Sequence, residues 1–175
     1  DRLNNRFVIW TRPKATSRQW SYSAQFGTSG SGDTNFFYPD GIFVSADGLT
    51  AWVADAENSR IVIWTRPKAT SRQWSYSTQF GTYGSGDTNF DSPSGIVVSP
   101  DTLTAWVGDN GNNRIAIWTR RTATSTVWRY SAQFGTAGSG AGNLASPSGI
   151  AVAADARTVW TADTGDNRIS VWTQR

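Results

Sequence analysis

Three aspartates, Asp55, Asp109 and Asp163, each stand five residues ahead of an arginine, with turn residues between them. Carboxylates at a recurring position could ring a cation or a ligand. The same spacing also describes a locked hairpin, in which the aspartate caps the turn and the arginine closes an ion pair. The hairpin is the simpler reading. A second recurring group is "GSGDTNF" at Gly30 and Gly84, which becomes "GSGAGNL" at Gly138. Asp33 with Asn35, and Asp87 with Asn89, offer oxygens to a hard cation such as Ca²⁺. One carboxylate per loop is thin for such an ion, and Ala141 replaces the aspartate in the third copy. No metal and no cofactor is expected. Neither stretch is a phosphate loop, because no Lys-Ser/Thr follows on a helix. With Asn58, Asn112 and Asp166, these residues form a candidate ligand face: Asp33, Asn35, Asp55, Asn58, Asp87, Asn89, Asp109, Asn112, Asp163 and Asp166.

Tryptophans are the other chemically suggestive group, because an exposed indole stacks on sugars. Trp20, Trp74 and Trp128, with Tyr22, Tyr76 and Tyr130 beside them, are the candidate exposed aromatics. Trp10, Trp52 and their equivalents have apolar neighbours and are expected inside. Catalysis has little support. The chain lacks histidine and cysteine, so it has no Ser-His or Cys-His pair, no disulfide and no thiolate metal site. Glu57 is the single glutamate, and no catalytic residue is assigned. The net charge of +3 is far from that of a dedicated nucleic-acid binder, so nucleic acid is not an expected partner. No apolar run approaches the ~20 residues that span a bilayer.

What positions these residues is a repeat. Arg6, Arg60, Arg114 and Arg168 are spaced 54 residues apart, and so are Trp10, Trp64, Trp118 and Trp172. Each period holds four short extended stretches, as in "GIFVSA", "TAWVAD", "RIVIWT" and "QWSYSTQF", separated by turn residues. No stretch has a helical period. Four antiparallel strands at a fixed period make a β-propeller blade. The third strand carries Ile61 and Ile63 on one face and Val62 and Trp64 on the other. A sheet with one wet face would alternate apolar with polar, so these blades are expected to stack on both sides. First-strand residues such as Ile42, Val44, Ile96, Val98, Ile150 and Val152 are expected to line the axis.

"SPSGIVVSPDTLTAWVGDNGNNRIAIW" (92–118) resembles the NHL repeat: Pro-x-Gly, an apolar strand, a turn aspartate, "WVGD", then "NNRI" and an aromatic. "YPDGIFVSADGLTAWVADAENSRIVIW" and "SPSGIAVAADARTVWTADTGDNRISVW" carry the same pattern. The "TRPKATSRQ" and "FGTxGSG" connections are long for the family. The resemblance implies a six-bladed propeller that binds protein, peptide or RNA, and related six-bladed propellers are enzymes whose central metal is held by Asp, Glu and Asn.

The chain is thus expected to be all-β and a single propeller segment over 1–175, with full blades at about 41–80 and 95–134 and partial blades at 1–26 and 149–175. Three periods occupy 162 of the 175 residues, and the remaining 13 duplicate one strand: 6–11 repeats 168–173. The N-terminal arm can supply the fourth strand that the last blade lacks, with residues 1–5 the looser end. Three blades cannot close a ring. An open face of four strands at ~4.8 Å spacing and roughly 17 Å length covers about 320 Å², which rivals the largest apolar patch on a typical monomer. Either two chains form a six-bladed homodimeric ring or the chain belongs to a longer array. Basic connections at Arg12, Lys14 and Arg18 and their equivalents should emerge on one face of the disk, and the acidic turns, Asp40 included, on the other.

The resulting functional expectation is a non-enzymatic binding or structural module with a protein or glycan ligand. The alternatives are a lectin-like carbohydrate-binding propeller and, behind it, a metal-dependent hydrolase or lactonase. The Thr/Ser/Asn/Trp-rich composition and the absence of methionine point to a processed product or fragment, bacterial and extracellular or at the cell surface.

Overall fold

The computed structural model describes residues 1–173. Every regular element is a strand, apart from three-residue 3₁₀ turns such as Ala56–Asn58. The chain opens with β1 (Phe7–Thr11) and β2 (Ser21–Phe26), paired as a two-stranded sheet. A crossover follows, with short parallel strands β3 (Thr28–Ser29) and β4 (Asn35–Phe36). The first complete blade is β5 (Pro39–Val44), β6 (Thr50–Asp55), β7 (Arg60–Thr65) and β8 (Ser75–Phe80). After β9 (Thr82–Tyr83) and β10 (Asn89–Phe90) comes the second: β11 (Pro93–Val98), β12 (Thr104–Asp109), β13 (Arg114–Thr119) and β14 (Arg129–Phe134). A three-stranded sheet closes the chain, with β15 (Pro147–Val152), β16 (Thr158–Asp163) and β17 (Arg168–Thr173). The β1–β2 sheet and the three blade sheets are antiparallel, the β3–β4 and β9–β10 pairs are parallel, and β5, β11 and β15 are adjacent as the innermost strands.

Local chemistry sets the turns. Ser45 donates its hydroxyl to Asp47, which accepts the Leu49 N–H, and this closes the β5–β6 hairpin. Ser99, Asp101 and Leu103 repeat the device between β11 and β12. Asn5, Ser59, Asn113 and Asn167 end the second turn type in the left-handed region, which asparagine tolerates. The Asp55↔Arg60, Asp109↔Arg114 and Asp163↔Arg168 pairs then fix identical registers.

The core lies between blades. Trp52, Ala54, Ile61 and Ile63 pack against Ile96, Val98, Val107 and Trp118 of the next blade. Val53, Val62 and Trp64, on the opposite face, cover Phe7, Phe26 and Phe36. Trp106, Ile115 and Leu144 meet Val159, with Ile150, Val152 and Trp172 partly buried around them. Ile96 and Val98 are therefore buried between blades and do not line the axis as expected. Ile42 pairs with Val53 and Val44 with Ala51, on the face turned to the β1–β2 sheet. That sheet lacks inner strands, so Ile42 and Val44 are exposed. Trp10, expected inside, is exposed, whereas Trp64 and Trp118 at the same repeat position are buried against the preceding sheet. The N-terminal arm keeps β1 and β2 in their own sheet instead of adding a strand to β17. Residues 1–5 are tied down, with a 3₁₀ turn at Arg2–Asn4 and the Asn5 side-chain oxygen accepting the Tyr38 N–H at 2.7 Å.

Candidate functional site

The recurring aspartates are saturated. Asp109 Oδ2 accepts Arg114 Nε at 2.7 Å and Asn112 Nδ2 at 2.9 Å, while Oδ1 accepts the Asp91 N–H at 2.7 Å. The Arg114 guanidinium goes on to Gln133 and to the Gly86 and Asn89 carbonyls of the crossover. Asp55, Asn58 and Arg60 repeat this set on Phe37, Gly32 and Asn35. Asp163 accepts the Ala145 N–H, Arg168 and Ser170. All three carboxylates are buried. Burial raises the pKa of Asp55 and Asp109, opposed by the hydrogen bonds and the arginine. For Asp163 burial pushes the same way, but the Ala145 N–H, Arg168 and Ser170 outweigh it and the pKa is lowered. Each unit is a clasp that holds the incoming crossover to its blade, and no carboxylate oxygen is left for a ligand.

The asparagines are also engaged. Asn35, Asn89 and Asn143 donate to Thr28, Thr82 and Thr136 across the crossovers. Asp33 and Asp87 are exposed on the same loops, and Asp166 lies 3.3 Å from Arg168. The buried members of the candidate ligand face thus have structural partners, while Asp33 and Asp87 remain exposed.

The candidate aromatic row is divided by its surroundings. Trp74 stacks on Phe26 at 5.4 Å and Trp128 on Phe80 at 5.3 Å. Trp128 is buried and Trp74 half-buried, so neither is the open platform expected for sugars. Tyr76 and Tyr130 are half-buried, and burial raises their pKa values. Trp20 and Tyr22 are exposed. At the opposite end of the blades the basic connections fold back on the first hairpins: Arg66 donates to Gly48 O and Arg120 to Thr102 O. Asp47 and Asp101 lie at that end too, in the first hairpins, where they accept the Leu49 and Leu103 N–H groups.

Sequence reading missed the axial end of the innermost strands. Asp40, Ser94 and Ser148 occupy the middle of the three Pro-x-Gly triplets. A Cβ on Gly41 would run into the Ser94 carbonyl, and one on Gly95 into the Ser148 carbonyl, so glycine permits the strands to converge here. Asp40 is exposed. Ser148 and Thr164 hydroxyls lie 2.7 Å apart, and Asn110 donates to Pro147 O at 3.2 Å. The usable signal was the aspartate at a position where the other units carry serine. Among the described residues no three His, Cys, Asp or Glu side chains converge as a group that could hold a metal ion. Among them, too, no helix is long and apolar enough to cross a membrane.

The NHL repeat pattern matches residues 90–118 and 144–172. No curated protein matches the chain in sequence. Solved structures share its fold. A proposed 6-phosphogluconolactonase from Bacteroides uniformis has a TM-score of 0.71 at 11% identity, over 100% of this chain and 46% of that one. The Pseudomonas aeruginosa periplasmic gluconolactonase has a TM-score of 0.62 at 14% identity, over 85% and 38%. The propeller domain of Myceliophteria thermophila Cps50 (Swd1) has a TM-score of 0.61 at 11% identity, over 88% and 44%. The chain spans less than half the length of each of these structures. The expectation of a non-enzymatic module, lectin-like or structural, is corrected by the lactonase names among these neighbours. The absence of histidine and cysteine, on which it rested, does not remove the carboxylates. With four-stranded antiparallel blades around adjacent inner strands, the chain has a β-propeller fold in which two NHL repeats are matched.

Proposed function

We propose that the chain forms part of a lactonase-type propeller hydrolase, with its reaction at the axial end around Asp40. The fold it shares with propellers named for lactone substrates carries this reading. The exposed Asp40 carboxylate, at the point where the inner strands converge, supports the placement. In the reaction, Asp40 accepts a proton from water as the water oxygen attacks the lactone carbonyl carbon. The ring C–O bond then breaks, and the departing oxygen takes the proton, giving the hydroxy acid. The Ser148 and Thr164 hydroxyls, paired at the same end of the innermost strand β15, are candidate donors for the substrate's oxygens.

The test is the ring opening of D-glucono-1,5-lactone, followed by acid release. The expected result is a rate above the spontaneous one that falls about 10²–10⁴-fold in Asp40→Asn, the span for losing a general base. A rate equal to the spontaneous one overturns the reading.

A further inference from the structure

The first and last sheets are complementary in strand content. The last sheet has strands one to three and lacks the fourth; the first sheet has strands three and four. In the shared register, β1 and β17 are the same strand, with Asn5, Arg6, Phe7, Ile9 and Trp10 answering to Asn167, Arg168, Ile169, Val171 and Trp172.

Contacts made inside the chain are left half-finished at its ends, and the missing halves match. Phe26 and Phe80 are each stacked by the tryptophan of the following blade. Phe134 meets Trp172 of β17 at 4.8 Å but has no counterpart of Trp74 or Trp128 stacked on it, and a groove of ≈ 600 Å³ lies beside it, lined by Trp106, Ile117 and Trp172 among others. Trp20 has no such phenylalanine and is 54% exposed. Yet Arg12 already sits over Trp20 at 4.8 Å, as Arg66 sits over Trp74 at 4.8 Å. Arg60 and Arg114 each reach a glutamine of the fourth strand, whereas Arg168 turns instead to Ser139 O. The apolar flanks match too. Trp160, Ile169 and Val171 are 39%, 64% and 57% exposed, although Trp52, Ile61 and Ile63 at the same repeat positions are 0–2% exposed. Ile42 and Val44 stand open on the other flank.

We infer that two copies of this chain close head to tail into one ring, in which β17 of each copy replaces β1 of the other and pairs with its β2. Trp160 then covers Ile42 and Val44, Ile169 and Val171 take the seats of Phe7 and Ile9, and Asn167 accepts the Tyr38 N–H in place of Asn5. Arg168 gains Gln25, and Trp20 stacks on Phe134. The contact is the one that already joins the interior blades, so its geometry is set by the repeat. Because the rotation closes, both junctions form at once and no flank is left for a third copy. Four faces of about 320 Å² total roughly 1,300 Å², within the range of stable interfaces.

Of the two copies of the strand, β1 is the one displaced. Arg168 is joined to the buried Asp163 and grips three crossover carbonyls, those of Ser139, Gly140 and Asn143. Arg6 pairs with an exposed Asp1 and, among the described residues, donates to no crossover carbonyl. The loss is the packing of Phe7 on Phe26 and Phe36, at 5.8 and 5.5 Å.

This inference does not rest on the lactonase reading. Its test uses the absence of native cysteine. Thr11 pairs with Ser21, so after exchange Thr173 faces Ser21 of the other copy. Oxidation of the double variant Ser21→Cys, Thr173→Cys should give a band of twice the chain mass on a non-reducing gel. The double variant Thr11→Cys, Ser21→Cys should give little intrachain bond. Sedimentation of the unmodified chain at micromolar concentration should give the dimer mass. In Trp20→Ala the dimer should weaken about tenfold, the effect of losing an aromatic pair. A monomer mass overturns the inference. So does a dimer whose Thr11→Cys, Ser21→Cys variant bonds only within the chain.

Discussion

The junction between the β5–β8 and β11–β14 blades and the outer flank of β15–β17 use the same repeat positions. At the junction Trp52, Ile61 and Ile63 disappear under the next blade. On the flank Trp160, Ile169 and Val171 face outward. A residue's type therefore does not decide its burial here; the presence of a following blade does. The clasps show the same contrast. Asp109 and Arg114 are sealed by the crossover they hold, while Asp1 and Arg6 have the ion pair without the crossover. An interior unit is thus a closed set of partners, and a terminal unit is the same set with some partners missing.

The comparison is broken most directly at the clasp. Asp109→Ala strands a buried guanidinium and should lower the unfolding free energy by about 3–5 kcal/mol in urea titration, against about 0–1 kcal/mol for Asp1→Ala. Equal losses would mean the clasps do not differ. Next is the tryptophan pair. Trp52→Ala should lose about 3–5 kcal/mol through a cavity. Trp160→Ala in the unassembled chain should stay within about 1 kcal/mol, as exposed substitutions do. A similar difference is expected at the axial glycines. Gly95→Ala forces a methyl against the Ser148 carbonyl and should cost about 1–3 kcal/mol. Gly149 has only Ala162 Cβ near it, at 3.7 Å, so Gly149→Ala should be close to neutral.

The smallest effect is on pH dependence. The Ser99 hydroxyl and the Leu103 N–H lower the pKa of Asp101. Its unfolded form binds protons more readily than its folded form, so its stabilisation is present above the unfolded pKa and is lost as pH falls. Burial raises the pKa of Asp109, so its folded form binds protons more readily and its contribution weakens as pH rises out of the acid range. Asp101→Ala should therefore make the acid-side fall of the urea midpoint shallower. An unchanged slope would show that the hairpin carboxylate is uncoupled from folding.

Much of the architecture was legible because a propeller writes its blade many times. The apolar residues on both faces of "RIVIWT" announced sheets buried on two sides, and the Asp-to-Arg spacing announced a locked hairpin. The axis was misread. Ile96 and Val98 alternate with neighbours on the same strand, and alternation reveals that two faces exist without saying which faces a blade and which the channel. Trp128 was misread for a similar reason. Its strand looks like an outer edge, but Phe80 of the preceding blade reaches over to it. The candidate ligand face was legible as a set of loops, not as a set of occupied hydrogen bonds, since the partners of Asp109 lie as far away as Gly86 and Asn89 through Arg114.

The sequence alone determined the strands, their turns, the repeat and the surplus third strand. These follow from local propensity and periodicity, which are properties of neighbouring residues. The tertiary structure alone decided which equivalent residues are buried, which carboxylates are consumed and which, such as Asp40, stay exposed. Burial and hydrogen-bond saturation depend on segments brought together across a blade junction, and identical repeats differ in whether a neighbour is there to supply them.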